Sequence, residues 1–249
     1  MDTTASAAAL ATWAGSLAAA RLSGGTLPDP PQPITLAEGY DLAARAEAGL
    51  GTPAGWKIGA TSESAMTFLG VSEPIRGRLF AERLWHDGAR ADLAGDRNAE
   101  AEPEIAFHLA RPLAAGGDPL AAIGTVHAAA EIVRPSHPEP FRLGAGFIVA
   151  DNAAGLGALI GPEIPRERLA RPDLLAVTLH GPDGARVTGR ADAVLGDPLR
   201  ALSWLAGALG EVPAGAWVLT GAMARAIRVP PGGSLRLDAD EFGAAVLHL

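Results

Sequence analysis

The stretch Ala101-Glu102-Pro103-Glu104-Ile105-Ala106-Phe107 places two acidic residues directly before an apolar run. If the stretch is a β-strand, side chains alternate between faces, so Glu102 and Glu104 point the same way, roughly 6.5–7 Å apart along the backbone. Two carboxylates on one face repel each other, and a hard divalent cation such as Mg²⁺ would relieve that repulsion because it binds carboxylate oxygens. The alternative is a solvated strand face with two ordinary surface acids, and the spacing alone leaves both interpretations open.

The composition of the chain excludes several classes of protein. The 249 residues carry a net charge of −8, which argues against nucleic acid or an anionic membrane as a partner. There is no cysteine, which excludes disulfides, thiolate metal sites and a cysteine nucleophile. The N-terminus has no basic region typical of a secretory signal, and we find no uninterrupted apolar run of membrane-spanning length. We therefore expect a cytoplasmic protein.

The first 52 residues are predicted to be a helical N-terminal segment. An amphipathic helix is expected over 4–22, and a second helix over 35–48, capped by Thr35 with Glu38 at the capping-box position. Pro and Gly in 23–33 indicate a loop between them. We expect residues 53–249 to form a β-rich catalytic domain.

Lys57 interrupts a short apolar strand between glycines, at 55–59. Burial would lower the pKa of its ammonium group, which would suit proton transfer. A lysine on an edge strand whose ammonium reaches water is the alternative. Glu131 interrupts an apolar run of small residues in the same way, and by itself could lie on the exposed face of a helix.

Asp151 and Asn152 follow the apolar stretch 146–150 and have two interpretations. Asp and Asn favour helix caps and turns, but they could also be a polar pair that faces a substrate. Further along, 174–195 is predicted to be a β-hairpin, 199–209 a helix, and 217–221 a buried strand. Asp87-Gly88 is a hairpin signal, and the last strands are expected around 235–237 and 245–247.

Six short motifs occur along the chain in order: Gly-Trp-Lys-Ile-Gly at 55–59, Glu-Pro-Glu-Ile-Ala-Phe at 102–107, Glu-Ile-Val at 131–133, Ala-Asp-Asn-Ala at 150–153, Gly-Asp-Pro-Leu-Arg-Ala-Leu-Ser-Trp-Leu at 196–205, and Val-Leu-Thr-Gly at 218–221. With these motifs the chain, from about residue 35 to 249, resembles the fumarylacetoacetate hydrolase superfamily. More closely, it is similar to the branch of 2-keto-4-pentenoate hydratases and 4-oxalocrotonate decarboxylases. The resemblance implies an α+β fold: a helical N-terminal part followed by a curved, mainly antiparallel mixed β core.

The resemblance also implies a set of site residues. The matching glutamates of the family hold Mg²⁺ or Mn²⁺, which makes Glu102, Glu104 and Glu131 the expected metal ligands. The matching lysine makes Lys57 the active-site amine, and Asp151 is a candidate second acid or base. The expected substrate-binding residues are Asn152, Thr220, Gly221, Leu79 and Phe80.

Two departures from the family pattern lie near the expected substrate site. The family usually continues Glu-Ile-Val with Asp-Ser-Arg, whereas this chain has Arg134-Pro135-Ser136-His137. After Thr220-Gly221 the family usually has serine, and here it is Ala222. These changes leave the substrate and the reaction open.

The expected activity is that of a divalent-metal-dependent lyase of aromatic catabolism acting on a 2-oxo or 2-hydroxy-dienoic acid. The first hypothesis is a hydratase that adds water across a conjugated double bond, with homo-oligomeric assembly implied by the family. The alternatives are a decarboxylase, an acylpyruvate-type C–C hydrolase and a catalytically altered homologue with a biosynthetic or binding role. A C–C hydrolase would need a His-Glu pair to activate water. His108 and His137 are the nearest candidate histidines.

Overall fold

The structure, a computed structural model, describes residues 3–93 and 98–249. The helices are α1 (Thr3–Ser23), α2 (Leu36–Glu47), α3 (Glu63–Leu69), α4 (Pro119–Ala122), α5 (Gly144–Ala150) and α6 (Pro198–Leu209). The strands are β1 (Pro53–Gly59), β2 (Ile75–Phe80), β3 (Leu84–Trp85), β4 (Glu100–Leu109), β5 (Leu113–Ala114), β6 (Ile123–Val133), β7 (Gly155–Ile164), β8 (Ala176–His180), β9 (Arg186–Arg190), β10 (Glu211–Val212), β11 (Trp217–Leu219), β12 (Ile227–Arg228), β13 (Ser234–Asp238) and β14 (Ala244–His248).

The main sheet has eight strands, in the order β2-β1-β11-β4-β6-β7-β3, with β12 also paired to β4. Two of its pairs, β1 with β11 and β3 with β7, are parallel, and the others are antiparallel. The three longest strands, β4, β6 and β7, are neighbours, and β4 lies at the centre of the sheet. The stretch 101–107 therefore belongs to a strand, and that strand is central in the sheet.

A second, fully antiparallel sheet of order β14-β13-β8-β9 packs against the main sheet. The predicted hairpin at 174–195 is its β8–β9 pair. Apolar side chains of both sheets, such as Phe107 and Leu179, belong to one buried cluster. This cluster is the core of the β-rich part of the chain, and its alanines and leucines allow close packing of the two sheets.

The N-terminal helices form a second buried cluster together with α5. Helix α2 begins with the predicted capping box, in which the Thr35 hydroxyl accepts from the Glu38 amide and the Glu38 carboxylate accepts from the Thr35 amide at 2.8 Å. It then lies directly on α5, because a Cβ atom at Gly39 would come within 2.3 Å of the Gly146 carbonyl oxygen. Only glycine permits this approach of the two backbones.

Two buried arginines hold the end of α1 against the β core. The Arg134 guanidinium, at the end of β6, donates to the carbonyls of Ala20 at 3.2 Å and Arg21 at 2.7 Å. The Arg21 guanidinium in turn pairs with the Asp151 carboxylate at 2.7 Å. A cation at a helix C-terminus satisfies carbonyls that have no partner within the helix. The helical segment is thus tied to the end of the strand that carries Glu131.

One predicted turn has a different role from the expected one. Asp87 and Gly88 form a turn, but β3 on one side pairs with β7, and Arg90 on the other side bridges to His248. The Asp87 carboxylate accepts from the amide of Val246 in β14. The local signal for a tight turn is therefore correct and the predicted hairpin is wrong, because long-range partners pair with the flanking residues.

None of the helices in residues 3–93 and 98–249 has both the length and the hydrophobicity that a bilayer crossing requires.

We expect Arg134→Met to lower the free energy of unfolding by about 2–3 kcal/mol, because the last carbonyls of α1 lose their buried donor. Arg186→Met is the matched control, since Arg186 is exposed at the start of β9. Its expected change is below about 0.5 kcal/mol. Urea denaturation of the two variants measures both values, and equal changes would contradict a special role for Arg134.

Candidate metal centre and active-site cavity

Three glutamates from two central strands converge on one point. Glu102 and Glu104 lie on one face of β4, and Glu131 lies directly opposite Glu102 on β6. Each carboxylate offers one oxygen, and these three oxygens all lie within 4.8 Å of one another. The alternation of side chains along β4 and the antiparallel register with β6 together produce this cluster.

The cluster is buried and has unsatisfied acceptors. Glu104 and Glu131 have no exposed surface. The Gly221 amide donates to Glu104 Oε2 at 2.8 Å, but Glu104 Oε1 and Glu131 Oε2 have no hydrogen-bond partner in the described part of the chain. Buried carboxylate oxygens without donors are costly unless a cation binds them. Their arrangement fits a divalent metal ion, which is small and takes oxygen ligands.

The carboxyl pKa values follow from this crowding. Burial, with the charge of Glu131 as the next cause, raises the pKa of Glu102 to about 7. Burial and the charges of Glu131 and Glu102 raise the pKa of Glu104 well above its usual range. Burial also raises the pKa of Glu131, although the Lys57 ammonium opposes it. Without a cation, the site therefore holds its negative charge poorly.

Lys57 is the basic group in direct contact with this cluster. Its Nζ lies 3.1 Å from Glu131 Oε1, and both side chains are buried. Burial alone would lower the pKa of Lys57. The charges of Glu131, Glu102 and Glu104 together outweigh burial, so the pKa is raised instead. The three acids lie close to the amine, and without a bound cation nothing offsets their charge.

A cavity of about 580 Å³ opens in front of the cluster. Lys57 and Glu102 contribute its charged inner wall, and Thr61, Ser62 and Ser64 add hydroxyl groups. Most of the remaining lining is apolar. A concave, mainly apolar cavity with a few convergent polar groups is the usual form of a small-molecule site.

Two glycines allow the close packing of the cluster. A Cβ atom at Gly155 would lie 2.7 Å from Glu131 Oε1 and 2.9 Å from Lys57 Cε. Gly221 has φ +118°, and a Cβ atom there would lie 2.1 Å from Thr61 Oγ1. Gly155 therefore leaves room for the Lys57–Glu131 pair, and Gly221 brings its amide to Glu104.

Asp151, the expected second acid or base, is not among the residues that line the cavity. Its Oδ1 pairs with Arg21 at 2.7 Å, and its Oδ2 accepts from the Ser136 amide at 2.6 Å. Arg21 also donates to the carbonyls of Asp151 and Gly155. The carboxylate is used to hold α1 and the segment before β7, and both of its oxygens are occupied.

Asn152 also binds protein backbone. Its side-chain oxygen accepts from the Arg78 amide at 2.6 Å, and its side-chain nitrogen donates to the Arg78 and Gly155 carbonyls at 3.0 Å. Asn152, Ala153 and Ala154 all have positive φ, between 49° and 61°. Three consecutive non-glycine residues in the left-handed region cost about 1–2 kcal/mol each. The Asn152 amide supports this strained segment, in which Ala153 and Ala154 line the cavity.

The other expected substrate-binding residues lie beside or beyond the cavity. Thr220 is buried and its hydroxyl donates to the Ile105 carbonyl at 3.0 Å, while Gly221 contacts Glu104 as described above. Leu79 and Phe80 lie at the far end of β2. The β1–β2 register explains this: Ile75, which lines the cavity, is opposite Gly59, whereas Leu79 is opposite Gly55, about 13 Å further along the strand.

The two departures from the family pattern lie in different places relative to the cavity. Arg134 points away from the cavity to the end of α1, so its effect is structural. Ala222 lines the cavity, so the missing hydroxyl changes the wall that a substrate would meet. Neither candidate histidine lines the cavity: the ring of His108 contacts Trp217, and His137 Nε2 lies 3.0 Å from Asp29 Oδ1.

Several residues of the site were missed by sequence reasoning. Thr61, Phe68 and Phe141 line the cavity, and Gly155 contacts the charged cluster. Phe68 lies on α3 and Phe141 on a short 3₁₀ turn, 140–143. No local pattern distinguishes these residues from surface aromatics. Ala153-Ala154-Gly155 is a run of small residues that could have indicated close packing beside the Asp-Asn pair.

The chain is similar in sequence to enzymes of known activity. The chain matches no family model. It is 33% identical over 201 residues to a 4-oxalocrotonate decarboxylase of a Pseudomonas species, covering 76% of each chain. It is 32% identical over 198 residues to a 2-keto-4-pentenoate hydratase of Burkholderia vietnamiensis, covering 76% of this chain and 75% of the other.

Two solved structures show the same fold. The 4-oxalocrotonate decarboxylase of Pseudomonas putida G7, complexed with magnesium and adipate, superimposes with a TM-score of 0.84 at 27% identity, over 95% of each chain. A fumarylacetoacetate hydrolase family protein of Yersinia pestis superimposes with a TM-score of 0.61 at 16% identity, over 80% of this chain and 93% of the other. The predicted α+β fold is confirmed. The chain belongs to the family of 4-oxalocrotonate decarboxylases and 2-keto-4-pentenoate hydratases.

Proposed function

We propose that the protein is a divalent-metal-dependent lyase for 2-oxo or 2-hydroxy-dienoic acids, and that it acts as a hydratase of the 2-keto-4-pentenoate type. The observation that carries the proposal is the cluster of Glu102, Glu104 and Glu131 beside Lys57, at the inner end of a large cavity. The relatives named above are hydratases and decarboxylases, which supports the same reaction class.

The charge of the cluster supports a divalent ion. Three carboxylates and one ammonium leave two negative charges in excess, and a divalent cation would balance them. All the available donors are carboxylate oxygens, which favours Mg²⁺ or Mn²⁺ over softer metals. The bound ion would supply Lewis-acid stabilisation of negative charge on the oxygens of a 2-oxo acid.

Lys57 is the basic group in this cavity that can hold and move a proton. It is the only lysine in the sequence, whereas arginine occurs throughout the chain. An arginine does not lose its proton under ordinary conditions, so lysine is the basic residue suited to proton transfer. We assign Lys57 Nζ to proton transfer with the substrate, and the hydroxyls of Thr61, Ser62 and Ser64 to orienting the substrate and the added water.

Decarboxylation is the second candidate reaction, and a specific observation favours it. The 33% identical relative and the structure with a TM-score of 0.84 are both 4-oxalocrotonate decarboxylases. The same metal site can stabilise the negative charge that develops when CO₂ leaves. C–C hydrolysis is less well supported, because His108 and His137 are both occupied away from the cavity.

Several further expectations are part of the proposal. We propose a cytoplasmic, homo-oligomeric enzyme whose partner is a small-molecule 2-oxo acid and neither nucleic acid nor a membrane. We also propose that the boundary between residues 1–52 and 53–249 separates a helical segment from the catalytic part. Helices α1 and α2 supply buried residues such as Leu17 and Leu42 to a cluster distinct from the β core.

The reaction is tested by adding Mg²⁺ and 2-hydroxypenta-2,4-dienoate and following the loss of ultraviolet absorbance. We expect turnover to a hydrated 2-oxo acid that stops in EDTA. Parallel reactions with 4-oxalocrotonate and with acylpyruvates measure CO₂ release and chain cleavage. Faster release of CO₂ from 4-oxalocrotonate would replace the hydratase assignment with the decarboxylase, and full activity in EDTA would contradict both.

Metal binding is tested by thermal unfolding of wild type and Glu104→Gln. We expect Mn²⁺ or Mg²⁺ to raise the melting temperature of wild type, because the ion binds only the folded state. The Glu104→Gln variant should melt at or above the wild-type temperature without metal, since it removes repulsion, and should lose most of the metal-induced shift. An unchanged shift in the variant would contradict the assigned ligands.

The role of Lys57 is tested by Lys57→Met and Lys57→Arg. If Nζ transfers a proton, both variants should lose about 10²–10⁴-fold in kcat while retaining a metal-induced rise in melting temperature. Lys57→Arg keeps the positive charge, so it separates proton transfer from charge. Near wild-type kcat in this variant would show that only the charge matters.

The packing of the cluster is tested by Gly155→Ala. The added Cβ would press on Glu131 Oε1 and Lys57 Cε, so we expect Mn²⁺ affinity, measured by calorimetry, to fall by about tenfold or more. Gly207→Ala in α6 is the matched control, because nothing lies within 4 Å of its Cβ position. It should leave affinity unchanged and should not lower stability. Equal affinities in the two variants would contradict the proposed contact.

A further inference from the structure

Two aromatic side chains form the outer part of the cavity. Phe68 on α3 and Phe141 on the 3₁₀ turn at 140–143 both line it, and their rings meet at 5.0 Å between centroids, tilted by 66°. Phe68 is 67% exposed and Phe141 57% exposed, whereas Lys57 at the inner end is 3% exposed. Exposure therefore places the phenylalanine pair at the mouth and the charged cluster at the inner end.

The wall next to this pair is apolar. Leu69, Ile75 and Ile148 line the cavity, and Ile75 and Ile148 are also buried in the cluster that joins the helices. Large exposed aromatic residues beside an apolar wall are unusual on a protein surface unless they contact a ligand or partner. A hydrocarbon group seated here would cover both rings from water.

The charges along the cavity disfavour a substrate that carries a second carboxylate. Among its described lining residues, Lys57 is the single basic side chain, and it lies at the inner end beside Glu131. Two acids, Glu100 and Glu102, line the same cavity. A carboxylate at the far end of a substrate would lose water without gaining a cation, and it would be repelled by Glu100.

Beyond Phe141, an adjoining groove has two arginines among its described lining residues, Arg142 and Arg228. Arg142 lines that groove, but its guanidinium already binds Asp29 at 2.8 and 3.0 Å and lies 3.5 Å from Glu139. Arg228 lines the groove too, and it already interacts with another part of the protein. A substrate carboxylate would have to pass Phe141 and compete with these acids.

We propose that the cavity selects 2-oxo acids whose far end is a hydrocarbon chain or ring, and that Phe68 and Phe141 bind that end. This inference rests on the proposed function, because the metal cluster fixes which end of the acid lies innermost. It goes further because it specifies the far end of the substrate, which is apolar and is not a second carboxylate. A cavity of about 580 Å³ has room for a substituent well beyond a short-chain 2-oxo acid.

The selection is measured by calorimetry on the Mg²⁺-loaded protein with saturated 2-oxo acids, which bind without reacting. We expect 2-oxohexanoate to bind about tenfold more tightly than 2-oxohexanedioate, which has the same chain length and a second carboxylate. Lengthening the acid from 2-oxopentanoate to 2-oxoheptanoate should tighten binding about twofold to fourfold per methylene. Tighter or equal binding of the dicarboxylate would overturn the inference.

The assignment to the phenylalanine pair is measured with Phe141→Ala and Phe141→Arg. Phe141→Ala should weaken 2-oxoheptanoate binding by about fivefold or more and change pyruvate binding by less than about twofold. Phe141→Arg should shift preference towards 2-oxohexanedioate. Leu174→Ala is the control, since Leu174 is 62% exposed but lines a different cavity. A chain-length dependence that is unchanged in Phe141→Ala would overturn the assignment.

These outcomes separate the inference from the proposed function. Tighter binding of the dicarboxylate, with turnover of 2-hydroxypenta-2,4-dienoate intact, would remove the substituent assignment alone. If none of the 2-oxo acids, pyruvate included, binds the metal-loaded protein, both the proposed function and the inference are wrong.

Discussion

The repulsion among three carboxylates, two of them fully buried, is the constraint on which the rest of this structure depends. The register of β4 and β6 forces Glu102 and Glu131 to face each other, and side-chain alternation brings Glu104 to the same place. Lys57 offsets part of the charge, and the Gly221 amide donates one hydrogen bond. The remaining excess of negative charge is what a divalent cation would balance, so the metal proposal follows from electrostatics as well as from similarity.

The residues around the three glutamates hold the cluster in place. Arg134 and Arg21 tie the last turn of α1 to both sides of the site, one at the end of β6 and one through Asp151. The Asn152 amide supports the left-handed run at 152–154, which costs free energy by itself but shapes the cavity wall. Stability and function are therefore coupled here: residues far from any substrate determine where the reactive groups lie.

The sequence predicted the parts of the site that local periodicity determines. The Glu-x-Glu spacing on a strand gave the common face of Glu102 and Glu104, and the family resemblance added Glu131 and Lys57. The orientation of Asp151 could not be predicted from the sequence, because its partner Arg21 lies 130 residues earlier in the chain. The pKa of Lys57 likewise depends on three acids that long-range strand pairing brings together. Phe68 and Phe141 meet only in the folded chain, so no pattern indicated them.

The central claim is that Glu102, Glu104 and Glu131 bind one divalent ion. The most direct measurement is the anomalous difference density of a crystal grown with Mn²⁺. Our account predicts a single strong peak at the inner end of the cavity, with an oxygen of each of the three carboxylates within about 2.0–2.3 Å of it. No peak there, or a peak elsewhere while the three carboxylates stay apart, would contradict it.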